Sequence, residues 1–219
     1  MEGIAYLDGV FMPIEQAKVS VEDRGFQFSD GVYEVIKAYG GIPFAREAHL
    51  DRLERSLSML SLSLPGSRQE LEGLIYEAVR RCGLQDSLIY LQITRGYAPR
   101  KHDFPDNIKP TLVLTVRRAR PIPENLYENG VSAITTRDER WLRCDIKSLC
   151  LLPNVLAKDK ATRAEAFEAI LVRDDRRVTE GTTSNVFAVR SGKLHTAPEG
   201  NWILSGITRA VVCDLARRD

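Results

Sequence analysis

The 219-residue sequence lacks any apolar run near the roughly 20 residues that a membrane-spanning helix requires, so no helical span is expected in it. Charge of one sign is missing as well. Thirty-one basic residues stand against thirty acidic ones, a formal charge of +1, and the basic ones are dispersed, so nothing points to nucleic acid or an anionic membrane surface. The four cysteines, Cys82, Cys144, Cys150 and Cys213, show neither metal-ligand pairing nor the spacing of a disulfide framework. No basic region followed by an apolar run opens the chain, and it carries no repeat or low-complexity tract. These absences lead to the expectation of a soluble, untargeted protein in a reducing cytoplasm, its thiols packed as small hydrophobes.

With 43% apolar residues, the chain is long enough for two modest domains or one large one. Ile4 to Met12 alternates around Asp8-Gly9, which predicts a β-hairpin. A turn-rich stretch from Asp23 to Gly31 feeds a predicted strand from Val32 to Tyr39, and Gly40-Gly41 turns it back into Ile42 to Phe44. Leu50, Leu53, Leu57 and Leu60 recur at helical spacing, predicting an amphipathic helix over 46–62 that ends before Pro65. Ser67 and Glu70 form a capping box for a second helix, stopped at Gly83. Strands are expected at Leu88 to Thr94 and Thr111 to Val116. Between them lies a loop with prolines and several cationic side chains. Arg117 to Gly130 reads as an interdomain linker. Beyond it come a strand at Val131 to Thr136, a helix opened by Pro153 and running to Ala166, and strands at Ala169 to Val172 and Val186 to Val189. A last helix starts at about Leu204-Ser-Gly-Ile-Thr.

Lysine is scarce too, with eight in the chain. One of them, Lys147, sits among Ile146 and Leu149 to Leu152. An amine in apolar surroundings loses hydration, which favours its neutral, nucleophilic form and suits Schiff-base formation with an aldehyde such as that of pyridoxal phosphate. On residue type alone the better reading is an edge strand with the ammonium reaching water. Its company in the sequence tips the balance. Glu180, in Thr179-Glu-Gly-Thr-Thr-Ser, is a candidate to hold a pyridine nitrogen protonated. Gly206-Ile207-Thr208 stands where a helix starts, and free backbone amides there suit a phosphate. Arg52 is a candidate bidentate contact to that phosphate. Arg100 and His102, two apart, would point the same way in an extended loop and trap a carboxylate, with Tyr33 as a further hydroxyl donor. Each of these residues taken singly also has an ordinary structural reading, as a solvated charge, a helix cap or a packed tyrosine.

The strings Glu22-Asp-Arg-Gly-Phe-Gln-Phe-Ser-Asp-Gly-Val-Tyr-Glu-Val, Arg140-Trp-Leu-Arg-Cys-Asp-Ile-Lys-Ser-Leu, Val178-Thr-Glu-Gly-Thr-Thr-Ser-Asn-Val-Phe and Ile203-Leu-Ser-Gly-Ile-Thr-Arg closely resemble the class IV pyridoxal phosphate aminotransferases, in the same order over nearly the whole chain. Within them the sequence looks most like the D-amino-acid transaminases. The resemblance implies an α+β protein of the two-domain fold type IV. A small α/β sandwich-like N-terminal domain, 1–120, would precede a pseudo-barrel cofactor-binding domain, 121–219. It implies pyridoxal 5'-phosphate as cofactor, with Lys147 on its aldehyde, Glu180 on its ring nitrogen, Arg52, Ile207 and Thr208 on its phosphate, and Leu204 supporting the ring. Tyr97-Ala-Pro-Arg-Lys-His-Asp-Phe-Pro resembles the segment in which an arginine and a histidine from a partner subunit join a tyrosine on the substrate carboxylate; here these are Arg100, His102 and Tyr33. A homodimer acting on amino acids and 2-oxo acids is therefore implied, transferring amino groups of D-amino acids. A branched-chain aminotransferase, an aminodeoxychorismate lyase and an inactive remnant of the same fold stand as alternatives. Family members usually continue several tens of residues past the helix that begins near Thr208, so the second domain is expected to be incomplete relative to the family.

Overall fold

A computed structural model describes residues 3–218. The chain divides into two compact units, one of Met1–Arg120 with Lys147–Leu149 and one of Pro121–Ile146 with Cys150–Asp219.

The first unit is built on a six-stranded antiparallel sheet. In chain order its elements are β1 (Gly3–Leu7), β2 (Val10–Pro13), α1 (Arg24–Phe28), β3 (Gly31–Tyr39), β4 (Ile42–Pro43), α2 (Arg46–Met59), α3 (Arg68–Cys82), β5 (Ser87–Thr94) and β6 (Thr111–Arg118), with sheet order β2-β1-β6-β5-β3-β4. The β1–β2 hairpin turns at Asp8-Gly9, where φ is +42° and +109°, the left-handed backbone that this dipeptide tolerates. Side chains alternate across the sheet. Val32, Ile36 and Ala38 of β3, Ile89, Leu91 and Ile93 of β5 and Leu114 and Val116 of β6 are fully buried on one face. Against that face pack Leu50, Leu53 and Leu57 of α2 and Leu71, Ile75 and Ala78 of α3. Each such side chain contributes roughly 1.5–3 kcal/mol by leaving water. The capping box at Ser67 and Glu70 forms in both directions, and Gly83 ends α3 in the left-handed region.

Two sequence expectations change here. The stretch from Asp23 holds the short helix α1 because the Asp23 carboxylate accepts from the Gly25 N–H, capping a helix that composition alone reads as turn. The expected linker from Arg117 is partly structured. Arg117 and Arg118 extend β6 opposite Leu88 and Ser87, and Glu124–Asn129 form a helix, α4, between Pro123 and Gly130, in the second unit.

The second unit continues with β7 (Ala133–Arg137), α5 (Leu152–Arg163), β8 (Glu168–Val172), β9 (Phe187–Arg190), β10 (Lys193–Thr196) and α6 (Ile207–Arg218). β7 and β8 pair in parallel, which requires a crossover between them, and α5 lies on that crossover with Ala157 and Ala161 packed against Ala169 and Leu171. α5 stops at Arg163, short of the expected Ala166, as Ala164 takes over the last carbonyls and Glu165 turns at φ +55°. β9 and β10 form a hairpin through Ser191-Gly192. No helix among the described residues is long and apolar enough to cross a membrane, and no metal-binding cluster occurs among those residues.

Candidate active site

In the first unit the decisive strand is β3. Glu34 falls on its buried face between Val32 and Ile36, so a carboxylate is placed inside an apolar layer with no exposure of its own. Such a group persists there only with partners. Arg52 on α2 supplies two hydrogen bonds, Nε to Oε1 and Nη2 to Oε2, both 2.7 Å, and His49, one turn earlier on the same helix face, brings Nδ1 to 2.7 Å from Oε2. Burial pushes the Glu34 carboxyl up. The hydrogen bonds from Arg52 and His49 and the charges of Arg52 and Lys147 outweigh it and hold Glu34 below the usual carboxylate value.

Lys147 lies against the same strand. Tyr33 N–H donates to the Lys147 carbonyl at 3.0 Å, Leu149 N–H donates to Gly31 at 3.1 Å, and Ser148 bridges to Val32, so Lys147–Leu149 pair along the open edge at the start of β3. Gly31 is required at that edge, since a Cβ there would stand 2.6 Å from the Ile93 carbonyl oxygen. The Lys147 backbone N–H reaches Ser56 Oγ of α2 at 3.3 Å. Its side chain is half-buried, with Nζ 4.2 Å from the centroid of the Tyr33 ring. Tyr33 in turn stacks on Tyr90 of β5 at 5.8 Å, where burial, followed by the nearby Tyr33, pushes the Tyr90 phenol up to about 12. Lys147, Tyr33, Glu34 and Arg52 are thus brought together within one unit.

The cationic loop after β5 is not extended at Arg100 and His102. Both side chains are exposed, and they converge on one ring: Arg100 Cζ lies 4.4 Å from the centroid of Phe28, and the His102 and Phe28 centroids are 5.5 Å apart. The two side chains gather, as the spacing suggested, because α1 offers them a shared aromatic surface and not because the loop alternates.

In the second unit Glu180 follows β8. Leu171 N–H donates to the Glu180 carbonyl, and Glu180 bridges to Asn185. Its carboxylate is buried, and both oxygens accept hydrogen bonds. Oε1 accepts from Arg140 Nη1, while Oε2 accepts from the Leu204 backbone N–H at 3.0 Å and from Asn185 Nδ2 at 3.2 Å. Arg140 is itself held by Asp138, Nε to Oδ1 at 2.9 Å and Nη2 to Oδ2 at 2.8 Å, and Thr179 Oγ1 donates to the same Oδ2 at 2.8 Å. Burial lifts Glu180 above the usual carboxylate value despite the Arg140 charge and the Leu204 N–H. Asp138 goes the other way: burial raises it, yet the Arg140 and Thr179 hydrogen bonds and the Arg140 charge win and hold it down. Gly206 precedes α6, whose first residues are Ile207 and Thr208; a Cβ at Gly206 would stand 2.0 Å from Asn185 Oδ1, so the Glu180 cluster and the start of α6 close on each other with no room for a side chain.

Arg52, expected at a phosphate, therefore lies buried on Glu34. Glu34, His49, Asp138 and Arg140 were not singled out in the sequence. Glu34 carries a readable signal, a carboxylate on the apolar parity of a strand; Arg140 and its neighbour Asp138 carry none that points to Glu180, forty residues from Arg140.

A family model described as amino-transferase class IV matches residues 31–219. A D-alanine aminotransferase of Bacillus licheniformis is 46% identical over 212 residues, 97% of this chain and 74% of that protein, and one of Staphylococcus haemolyticus is 45% identical over 208 residues, 94% and 73%. Among solved structures, a branched-chain aminotransferase of the thermophilic archaeon Thermoproteus uzoniensis with norvaline superposes with a TM-score of 0.89 at 28% identity, covering 98% of this chain and 74% of that one. A second branched-chain amino acid aminotransferase, solved with pyridoxamine 5'-phosphate, gives 0.91 at 28%, covering 100% and 74%.

Proposed function

The chain belongs to the class IV aminotransferase family, and from that premise we propose that it transfers the amino group of D-alanine to 2-oxoglutarate, giving pyruvate and D-glutamate. The observation that carries this reading is the 45–46% identity, over almost the whole chain, to proteins named D-alanine aminotransferase. The branched-chain enzymes resemble it at 28%.

The residues present suit pyridoxal 5'-phosphate by their chemistry: a half-buried amine at Lys147, a buried carboxylate at Glu180, and the open amides of a twelve-residue helix at Ile207 and Thr208. When bound, that cofactor supplies an aldehyde for an amine and a ring that draws electrons away from the substrate Cα–H bond. With the cofactor bound, Lys147 Nζ would hold its aldehyde and, once displaced by the donor amine, would accept the Cα proton and deliver it to the carbon that came from that aldehyde. Its contact with the Tyr33 ring and its nearness to Glu34 limit where that amine can point. Glu180 would keep the ring nitrogen protonated. A carboxylate raised by burial yet backed by Arg140 suits a group that must hold a proton at its boundary without surrendering its charge. Leu204, tied to Glu180 through its N–H, supports the ring. Ile207 and Thr208 bind the phosphate through helix amides, and Arg52 adds positive charge from its ion pair with Glu34.

Arg100, His102 and Tyr33 grip the substrate carboxylate, and we take the first two from a second copy of the chain, which makes the working form a homodimer. We place it in a reducing cytoplasm, from a cysteine spacing that suits no disulfide framework. The test is initial-rate measurement with the cofactor-loaded protein and 2-oxoglutarate. D-alanine is expected to outrun L-leucine as donor; a faster rate with L-leucine would make it a branched-chain enzyme.

A further inference from the structure

Two buried arginines, Arg24 and Arg95, share the one carboxylate of Asp30, and nothing in the chemistry above uses either of them. Arg24 Nε reaches Asp30 Oδ2 at 2.8 Å; Arg95 Nε reaches the same oxygen at 2.8 Å and its Nη2 reaches Oδ1 at 3.0 Å. One carboxylate does not balance two guanidinium ions, so their remaining donors need other acceptors. Arg95 finds them in the carbonyls of Leu60 and Ser61, at 2.8 and 3.2 Å.

Arg24 turns the other way. Its Nη1 donates to the Lys101 carbonyl at 2.7 Å and its Nη2 points to the His102 carbonyl at 3.5 Å, while its backbone N–H donates to Gly96 at 2.8 Å. Those two carbonyls belong to the peptide planes on either side of the His102 Cα, and holding both planes fixes the direction in which the imidazole leaves the chain. The guanidinium also lies 4.8 Å from the Phe28 ring, against which Arg100 and His102 rest. Residues 95–110 carry no helix or extended strand to do this work, only a single bridge at Tyr97.

We propose that Arg24 is a positioning residue: by pinning the Lys101 and His102 carbonyls from inside the fold, it fixes where Arg100 and His102 present their positive charge to a substrate carboxylate. The inference rests on the reading of Arg100 and His102 as the carboxylate trap. Because Arg24 and the loop lie on one chain, pin and trap travel together to whichever subunit's substrate they serve.

The experiment uses cofactor-loaded enzyme, with D-alanine and 2-oxoglutarate, and the variants Arg24→Gln, Arg100→Ala, their double and Phe104→Ala. Arg24→Gln should raise KM for both substrates about 10-fold while kcat falls less than about 3-fold, since binding geometry and not proton transfer is loosened. In the Arg100→Ala background the same substitution should raise KM by only about 3-fold, because His102 alone is then left to misplace. An unchanged KM, a loss confined to kcat, or an equal factor in both backgrounds would overturn the proposal. Should Arg24→Gln fail to retain cofactor absorbance, Phe104→Ala decides. That exposed ring lies 3.6 Å from the Arg95 guanidinium and 6.0 Å from that of Arg24, a further tether of the loop to the same arginine pair, so its loss should raise KM about 3-fold with kcat held; no change there overturns the proposal equally. If Arg100→Ala alone leaves KM untouched, the trap itself is wrong and the proposal falls with it, a result distinct from a silent Arg24.

Discussion

The backbone N–H of Leu204 donates to Oε2 of Glu180 at 3.0 Å, so the residue proposed to support the cofactor ring and the one proposed to meet the ring nitrogen are joined without an intermediary. The other oxygen of Glu180 is held by Arg140, which Asp138 and Thr179 hold in turn. A carboxylate fixed on both oxygens cannot rotate away from its task.

That rigidity gives a first prediction. Glu180→Gln keeps the shape but removes the charge that would hold a ring proton, and kcat for D-alanine should fall about 100-fold or more, in the range for loss of a single transition-state contact. Stopped-flow absorbance of the first half-reaction measures it directly. A rate within about threefold of the parent would mean that the ring does not depend on this carboxylate.

Arg140→Ala should act on stability. It leaves Glu180 and Asp138 as neighbouring buried carboxylates with their shared cation gone, and breaking a buried pair in this way costs about 3–5 kcal/mol. Urea unfolding followed by circular dichroism reads the loss. The double variant Arg140→Met with Glu180→Gln should recover part of it, because the buried charge that loses Arg140 at Glu180 is then removed as well, while Asp138 keeps its pair with Arg173 at 3.1 Å.

The pH dependence should be governed in part by Glu34. Its pKa is lower in the folded protein than in the unfolded chain, as the Arg52 and His49 hydrogen bonds outweigh burial. The unfolded state therefore binds the proton more readily, and the stability Glu34 contributes is present above the ordinary carboxylate value and lost as pH falls through the lowered one. Thermal unfolding between about pH 7 and 3 should show this acid limb, and Glu34→Gln should be less stable near neutrality with a shallower acid slope. An unaltered slope in that variant would assign the acid sensitivity to other carboxylates.

Much of this architecture was legible in the sequence. Asp8-Gly9, the Ser67–Glu70 box, Gly83 and the leucine spacing of α2 are local signals, and each marks an element that forms. α1 and α4 escaped notice because each is about a turn and a half long and depends on one flanking residue, Asp23 or Pro123, more than on any periodicity. The sequence supplied candidates for the site as residue types, whereas the residues that hold them did not stand out. The sequence offers Arg52 as a phosphate contact without its partner, and Glu34 is the kind of polar residue on a buried strand face that the alternation of Val32, Ile36 and Ala38 does flag. Arg140 with Glu180, and Arg24 with Arg95 around Asp30, bring together residues tens of positions apart, and pairing of that kind leaves no mark in spacing.

The most direct test concerns the amine above the Tyr33 ring. Incubating the protein with pyridoxal 5'-phosphate, reducing with borohydride and mapping peptides by mass spectrometry fixes whichever lysine holds the aldehyde as a stable amine. A single adduct on Lys147 is the predicted result. An adduct spread over exposed lysines such as Lys101 or Lys109, or none at all, would contradict the assignment of Lys147 as the cofactor's lysine.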